Sequence, residues 1–318
     1  MDNQQIKAAA AVIRKGGLVA FPTETVYGLG ANALDPVAVA RIFELKERPS
    51  FDPLIVHIAS WDDLSLLTTG PVPGVRELAM KFWPGPLTII LPKSARVPEI
   101  VTAGLTTVGI RMPDHEVALQ LISEAGCPIA APSANKFGKL SPVTADHVRK
   151  QLPETDFILD GGATSVGIES TIVSLDGNVC TLLRPGVITL AEIRKALPSD
   201  FVISVRNNGN MISPGLLKSH YSPLKPLFLV PDLSVSLPHG SGLIVHEQKN
   251  ALPPCEKLIL TSETCNYREI AANLFSALHA MEDDERVRRI FIEPVPETGL
   301  GTAIMDRLKR AAYQYQSN

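Results

Sequence analysis

The sequence predicts an α/β protein: a mixed sheet with flanking helices, followed by a second, smaller α/β unit. Two observations carry this. Short apolar runs of strand length alternate with helical stretches along the chain, the pattern of α/β architecture. At residues 206–226 (RNNGNMISPGLLKSHYSPLKP) the periodicity gives way to Asn, Gly, Ser and Pro, and a new α/β pattern starts beyond it. That composition marks an interdomain linker. The expected units are residues 1–205, a linker at 206–226, and residues 227–318.

An opening amphipathic helix carries Ile6, Ala9, Ala10 and Ile13 and stops at Gly16-Gly17, and Leu18–Phe21 reads as a short buried strand. Asp35 followed by Pro36 starts a helix, because the carboxylate caps free amides and proline suits the first turn. Its apolar side is Val37, Ala40, Ile42 and Phe43, and it ends in Lys46-Glu47-Arg48-Pro49. Strand Leu54–Ile58, helix Val75–Phe82, strands Leu87–Leu91 and Val108–Arg111, a helix over His115–Glu124 and strand Ile129–Ala131 follow. Strands Phe157–Asp160 and Ser170–Leu175 come next, and Asp176-Gly177 is a hairpin signal into Val179–Leu183. The hairpin brings antiparallel pairing and makes the sheet mixed. The second unit reads as strands Leu227–Val230, Leu243–His246 and Leu258–Leu260, helix Tyr267–Met281, strand Ile290–Ile292 and helix Thr302–Ala312. The 26 prolines cluster where elements should end.

Composition narrows the function. With 30 Lys+Arg against 33 Asp+Glu, the net charge is −3, whereas proteins that grip nucleic-acid backbone carry a basic excess. The N-terminus lacks a signal-type apolar core, and no long uncharged apolar run occurs, so neither secretion nor membrane spanning is expected. The four cysteines, Cys127, Cys180, Cys255 and Cys265, show no C-x-x-C spacing. They read as reduced thiols of a cytoplasmic protein.

Familiar signatures fail. Gly28-Leu29-Gly30-Ala31-Asn32-Ala33 spells G-x-G-x-x-A, but it stands too far from the preceding strand and the next helix for a dinucleotide turn. Ala163–Gly167 imitates a nucleophile elbow, yet a strand follows it rather than a helix. There is no phosphate-loop motif, and the seven histidines lack zinc spacing, so no metal site is expected.

What remains is a set of polar residues at strand ends, each open to two readings. FPTETVYGLG (Phe21–Gly30) presents Thr23, Thr25 and Tyr27 either to a ligand or as caps of a tight turn. Lys46 and Arg48 end a helix, where cations suit the dipole without any function. Arg111 closes a strand at the sheet edge where α/β proteins place ligands, or it is a salt-bridged structural arginine. Ala131-Pro132-Ser133-Ala134-Asn135 admits an anion to backbone amides, or is an ordinary Asx/Ser turn. His57 alternates with apolar neighbours and reads equally as a core histidine. Glu169-Ser170-Thr171 and Arg184-Pro185-Gly186 put further polar groups at strand ends.

Taken in order, Lys46-x-Arg48 and Ser133-x-Asn135, with FPTETVYGLG upstream and ESTIV and RPG downstream, closely resemble the YrdC-like family. The linker with Ser213-Pro214-Gly215 and His220-Tyr221-Ser222-Pro223, followed by a small α/β unit, resembles its longer two-domain members, the threonylcarbamoyl-AMP synthases. The resemblance implies a twisted mixed sheet with a small Rossmann-like C-terminal domain. It also implies the reaction of L-threonine, bicarbonate and ATP to L-threonylcarbamoyl-AMP and pyrophosphate, with Mg2+ accompanying ATP. A partner tRNA threonylcarbamoyl transferase would take the product, leaving tRNA contact weak or indirect.

Such a reaction needs three reactants assembled and negative charge spread, rather than a side-chain nucleophile. By the resemblance Lys46, Arg48, Ser133 and Asn135 are catalytic, the cations on the phosphates and the others on phosphate and developing carbamate. Thr25, His57, Arg111 and Ser170 match L-threonine positions, Arg111 pairing its carboxylate. Arg48, Thr107, Ser133, Ser141, Arg184 and Tyr221 match ATP positions. Asp52 matches a further ATP contact, although its charge beside phosphates requires a metal between. His57 is the best candidate for a general base. The linker is expected to fold over the site as a flap that shields the product. Two alternatives are a non-catalytic tRNA- or RNA-binding module, which the charge disfavours, and a hydrogenase-maturation-type enzyme, which would carry zinc-finger cysteine pairs.

Overall fold

The computed structural model describes residues 3–206 and 219–315. Helix α1 (Asn3–Arg14) buries Ile6, Ala9, Ala10 and Ile13, the stripe its spacing predicts. β1 (Val19–Phe21) pairs antiparallel with β2 (Gly28–Asn32). α2 (Pro36–Lys46) starts at Asp35, whose carboxylate accepts from the amides of Val37 and Ala38. Then come β3 (Ile55–His57), α3 (Asp62–Leu67), α4 (Val75–Phe82), β4 (Leu87–Pro92), α5 (Glu99–Thr102), β5 (Thr107–Arg111), α6 (Glu116–Ala125) and β6 (Ile129–Ala130). α7 (Ala145–Gln151), β7 (Phe157–Ile158), β8 (Thr171–Asp176), β9 (Val179–Arg184), α8 (Leu190–Ala196) and β10 (Val202–Val205) complete this part. Its ten strands run in the order β10-β9-β8-β4-β5-β3-β6-β2-β1-β7, with parallel and antiparallel pairs mixed. The predicted hairpin is present: Asp176 pairs with Val179, and Gly177 takes the positive φ of 52° that its turn requires.

Beyond the linker, β11 (Leu227–Leu229), β12 (Ser241–Val245), β13 (Lys257–Leu260), α9 (Tyr267–Asp283), β14 (Arg289–Ile292) and α10 (Gly301–Ala312) form a second unit. Its sheet, β11-β14-β12-β13, is wholly parallel, as a Rossmann-like unit requires. The flap expectation falls partly on Ser213-Pro214-Gly215, which lies outside the described residues.

Six elements escaped the sequence reading. α3, α5, α7 and α8 are short, and α8 buries only Ile193, too little for a period to show. β10 is an edge strand whose Val202 and Val205 face solvent. β2 was hidden by its glycines, which depress strand propensity. They are needed because an added Cβ at Gly30 would sit 2.6 Å from Ile129 and 2.7 Å from the Phe21 ring.

The two units share a core. Val26, Leu140, Val143 and Ile168 from the first pack with Ile270, Ala271, Leu274 and Phe275 of α9. Gly167, at φ 76°, lies against α9 so closely that a Cβ would stand 2.4 Å from the Ala272 carbonyl oxygen. Among the described residues, no helix is long and apolar enough to cross a membrane. The four cysteines are unbridged.

Candidate active site

β3 and β5 are parallel, and their register sets His57 beside Arg111. Alternation of the pleat puts Ile55, His57 and Arg111 on one face of the sheet. His57 and Arg111 are the last residues of β3 and β5, at the strand ends where Arg111 is expected. A cavity covers this face, lined by Thr23, Thr25, Arg48, Ile55, His57, Arg111, Ser133, Glu169, Ser170, Arg184, His220 and Tyr221, with others.

Several wall residues make the structural contacts of one reading while also lining the cavity. Thr23 Oγ1 accepts from the amides of Thr25 and Val26, so the FPTET segment is a capped turn that also faces the cavity. Arg111 donates to Thr25 Oγ1 at 3.0 Å and pairs with Glu24 at 2.5 Å, leaving its buried Nε without a partner. Ser133, after β6, bridges to Gly28 at the start of β2. Ser170 Oγ bonds to Thr88 Oγ1 at 2.8 Å and accepts from Arg184 Nη2 at 3.1 Å.

Arg48 leaves α2 after Glu47 turns the chain at φ 54°. It donates to the carbonyls of Asp52 and Pro53, and its Nη2 lies 2.9 Å from Asp52 Oδ2. Burial pushes the Asp52 carboxyl up, opposed by Arg48 and Lys46. Asp52 is thus taken up by Arg48 and is not among the residues lining the cavity.

Four further expected site residues stand outside the cavity lining. The Lys46 ammonium donates to the carbonyls of Ser133, at 2.6 Å, and Asn135. It thus anchors the 133–135 loop from behind, and burial, then Arg48, depresses its pKa far below the usual lysine value. Asn135 Nδ2 donates to the carbonyls of Lys136 and Lys139, shaping the same turn. Ser141 donates to Glu169, which itself lines the cavity. Thr107 is remote: it opens β5 opposite Pro92, about 13 Å along the strand from Arg111 at ~3.3 Å per residue.

Burial sets the charge states along this wall. Burial, reinforced by Arg111, lowers His57 to about 3. It is therefore neutral at pH 7. Burial, then Arg48, Lys46 and Arg184, likewise keeps His220 neutral. Burial and Glu169 push the Tyr221 phenol up to about 12, so it stays a donor. His57 Nδ1, His220 Nδ1, Arg111 Nε and the Tyr221 hydroxyl are all buried without hydrogen-bond partners. Orphaned buried polar atoms are rare in folded proteins, and four of them on the wall of one cavity mark a ligand site.

The sequence reading missed Glu24, the partner of Arg111, and Arg307, the partner of Glu169. Glu24 carried no separable signal inside FPTETVYGLG. Arg307 did: it interrupts the apolar stripe of Ile304, Leu308 and Ala311 on α10, and a charge in that place must find a buried partner.

Two family models match end to end: the Sua5/YciO/YrdC model, described as telomere recombination, over residues 11–186, and the threonylcarbamoyl-AMP synthase C-terminal domain over 188–313. The threonylcarbamoyl-AMP synthase of Bacillus subtilis is 44% identical, covering 98% of this chain and 94% of its own. That of Pyrococcus abyssi is 42% identical, covering 98% and 95%. The crystal structure of P. abyssi Sua5 complexed with L-threonine superposes with a TM-score of 0.88 at 41% identity, covering 98% of this chain and 95% of that one. The chain belongs to the Sua5/YciO/YrdC family, in the form that carries the threonylcarbamoyl-AMP synthase C-terminal domain.

Proposed function

We propose that this chain makes L-threonylcarbamoyl-AMP from L-threonine, bicarbonate and ATP, releasing pyrophosphate, for a separate cytoplasmic transferase that modifies tRNA. The observation that carries this reading is the cavity that gathers Arg48, Arg111 and Arg184 with the orphaned atoms of His57, Arg111, His220 and Tyr221. The P. abyssi relative solved with L-threonine supports it.

The threonine amine adds to the carbon of CO2 or bicarbonate, forming the N–C bond of a carbamate and giving up its proton. A carbamate oxygen then attacks the α-phosphorus as the bond to the β-phosphate oxygen breaks and pyrophosphate leaves. Thr25, His57, Arg111 and Ser170 form the threonine side, and Arg48, Ser133, Arg184 and Tyr221 the nucleotide side. The arginine forks suit carboxylate and phosphate geometry. Lys46 and Asn135 hold the Ser133 loop, Asp52 orients Arg48, and Ser141 orients Glu169. Thr107 takes no part.

Among the described residues, no three His, Cys, Asp or Glu side chains converge to hold a metal ion. Mg2+ enters with ATP, held by its phosphates and water with one or two carboxylates at most. We assign catalysis to residues 1–205, the linker to 206–226 and an accessory unit to 227–318. The second family model begins at 188, yet β10 pairs with β9 in the first sheet. Following pyrophosphate release with ATP, L-threonine and bicarbonate tests the reading. Release that requires threonine is expected, and release indifferent to threonine, or none, overturns it.

A further inference from the structure

The last helix of the second unit sends one cation into the first. The Arg307 side chain is fully enclosed, and its Nε donates to Glu169 Oε2 at 2.8 Å. Its Nη2 donates to the Glu169 carbonyl at 3.3 Å and its Nη1 to Asp306 Oδ2 at 2.7 Å. The guanidinium also lies over the Tyr221 ring, 5.4 Å from its centre. Glu169 and Tyr221 both line the cavity. The other Glu169 oxygen accepts from Ser141, and the next residue, Ser170, accepts twice from Arg184. A leucine or methionine would complete the stripe of α10 without desolvating a charge, so this ion pair is a poor device for stability alone.

We propose that Arg307 is a positioning residue for the nucleotide side of the cavity, setting Glu169 and the Tyr221 ring and thereby coupling the second unit to ATP binding. This rests on the assignment of Arg184 and Tyr221 to ATP. The groups facing Glu169 are Arg307 from α10, itself paired with Asp306, Arg184 from β9, Ser141 from the loop before α7, and Tyr221. Burial works to raise the Glu169 carboxyl, and Arg307 followed by Arg184 outweighs it and holds the group below the usual value. Removal of Arg307 removes the stronger of these two cations.

The test is steady-state pyrophosphate release by the full chain as wild type, Arg307→Met, Arg307→Lys and the Arg307→Met/Glu169→Gln double variant. Arg307→Met is expected to raise the KM for ATP at least tenfold while the KM for threonine changes less than threefold. Its KM for ATP should become dependent on pH where the wild type is flat, and the double variant should lose that dependence. Arg307→Lys keeps the charge without the fork and should show a smaller rise, which serves if the methionine variant fails to fold. Wild-type KM values in both single variants, or equal shifts for both substrates, overturn the proposal. Calorimetric ATP titration separates the two claims. If the wild type binds ATP and Arg307→Met binds it at least tenfold more weakly, but no threonine-dependent release occurs, the coupling stands and the assigned reaction falls.

Discussion

Arg48 and Asp52 form a buried ion pair, Nη2 to Oδ2 at 2.9 Å, across the turn that ends α2. The side chain that faces the cavity is thus held by one that does not, and the two substitutions should have different consequences. Arg48→Ala leaves Asp52 buried and unpaired, a loss of about 3–5 kcal/mol of stability. Adding Asp52→Ala should restore most of that in urea denaturation while pyrophosphate release stays at least tenfold low. Recovery of turnover in the double variant would remove Arg48 from the phosphate site.

Lys46 should act through the loop it anchors. Lys46→Ala and Lys46→Met both remove the bonds to the carbonyls of Ser133 and Asn135. Turnover should fall at least tenfold in each, about 1.4 kcal/mol of transition-state stabilisation. Methionine keeps the packed volume and should lower the Tm less than alanine. Near-wild-type rates in both would show that the loop keeps its shape unaided.

Gly167 fixes how closely the two units approach. An added Cβ would lie 2.4 Å from the Ala272 carbonyl oxygen at a positive φ, so Gly167→Ala should cost about 1–3 kcal/mol through overpacking. A lowered urea midpoint, with a raised KM for ATP as the second unit shifts, is the expected pair of readouts. An unchanged midpoint would show that α9 gives way freely.

Acid should destabilise the fold through neutral buried histidines. His57 and His279 both fall to about 3, chiefly by burial. The unfolded chain binds these protons from about pH 6.5 downward and the folded chain does not. Stability is therefore complete above that pH and declines as pH falls from 6.5 toward 3, by at most about 1.4 kcal/mol per unit for each group. Urea midpoints at pH 7.5 and 5.0 check this, and His57→Asn should flatten the decline. Because His57 does not titrate near neutrality, kcat/KM should show no ionisation from it between pH 6 and 9.

Chelation should separate a metal carried by substrate from one built into the protein. EDTA is expected to abolish pyrophosphate release yet leave the Tm of the nucleotide-free chain unchanged. A fall in that Tm would reveal a structural cation.

Much of this molecule is local information, and local information is legible in a sequence. The cap at Asp35-Pro36, the hairpin at Asp176-Gly177 and the stripes of α1, α4 and α9 each depend on a few neighbouring residues, and the structure places them within a residue or two of expectation. The ordered set from FPTETVYGLG to RPG, with His220-Tyr221 of the linker, carried the family, and eight of the residues it implied line the cavity: Thr25, Arg48, His57, Arg111, Ser133, Ser170, Arg184 and Tyr221.

Which polar side chain faces ligand and which stands behind it was decided only by tertiary structure. Lys46 and Arg48 are separated by one residue, yet one ends against loop carbonyls and the other in the cavity. The αL turn at Glu47 sends them apart, and burial obliges each charge to find a nearby partner. The pairings Glu24–Arg111 and Glu169–Arg307 join residues far apart in the chain. No local period encodes such contacts, because they exist only once the sheet has set His57 beside Arg111 and α10 has docked against the first unit.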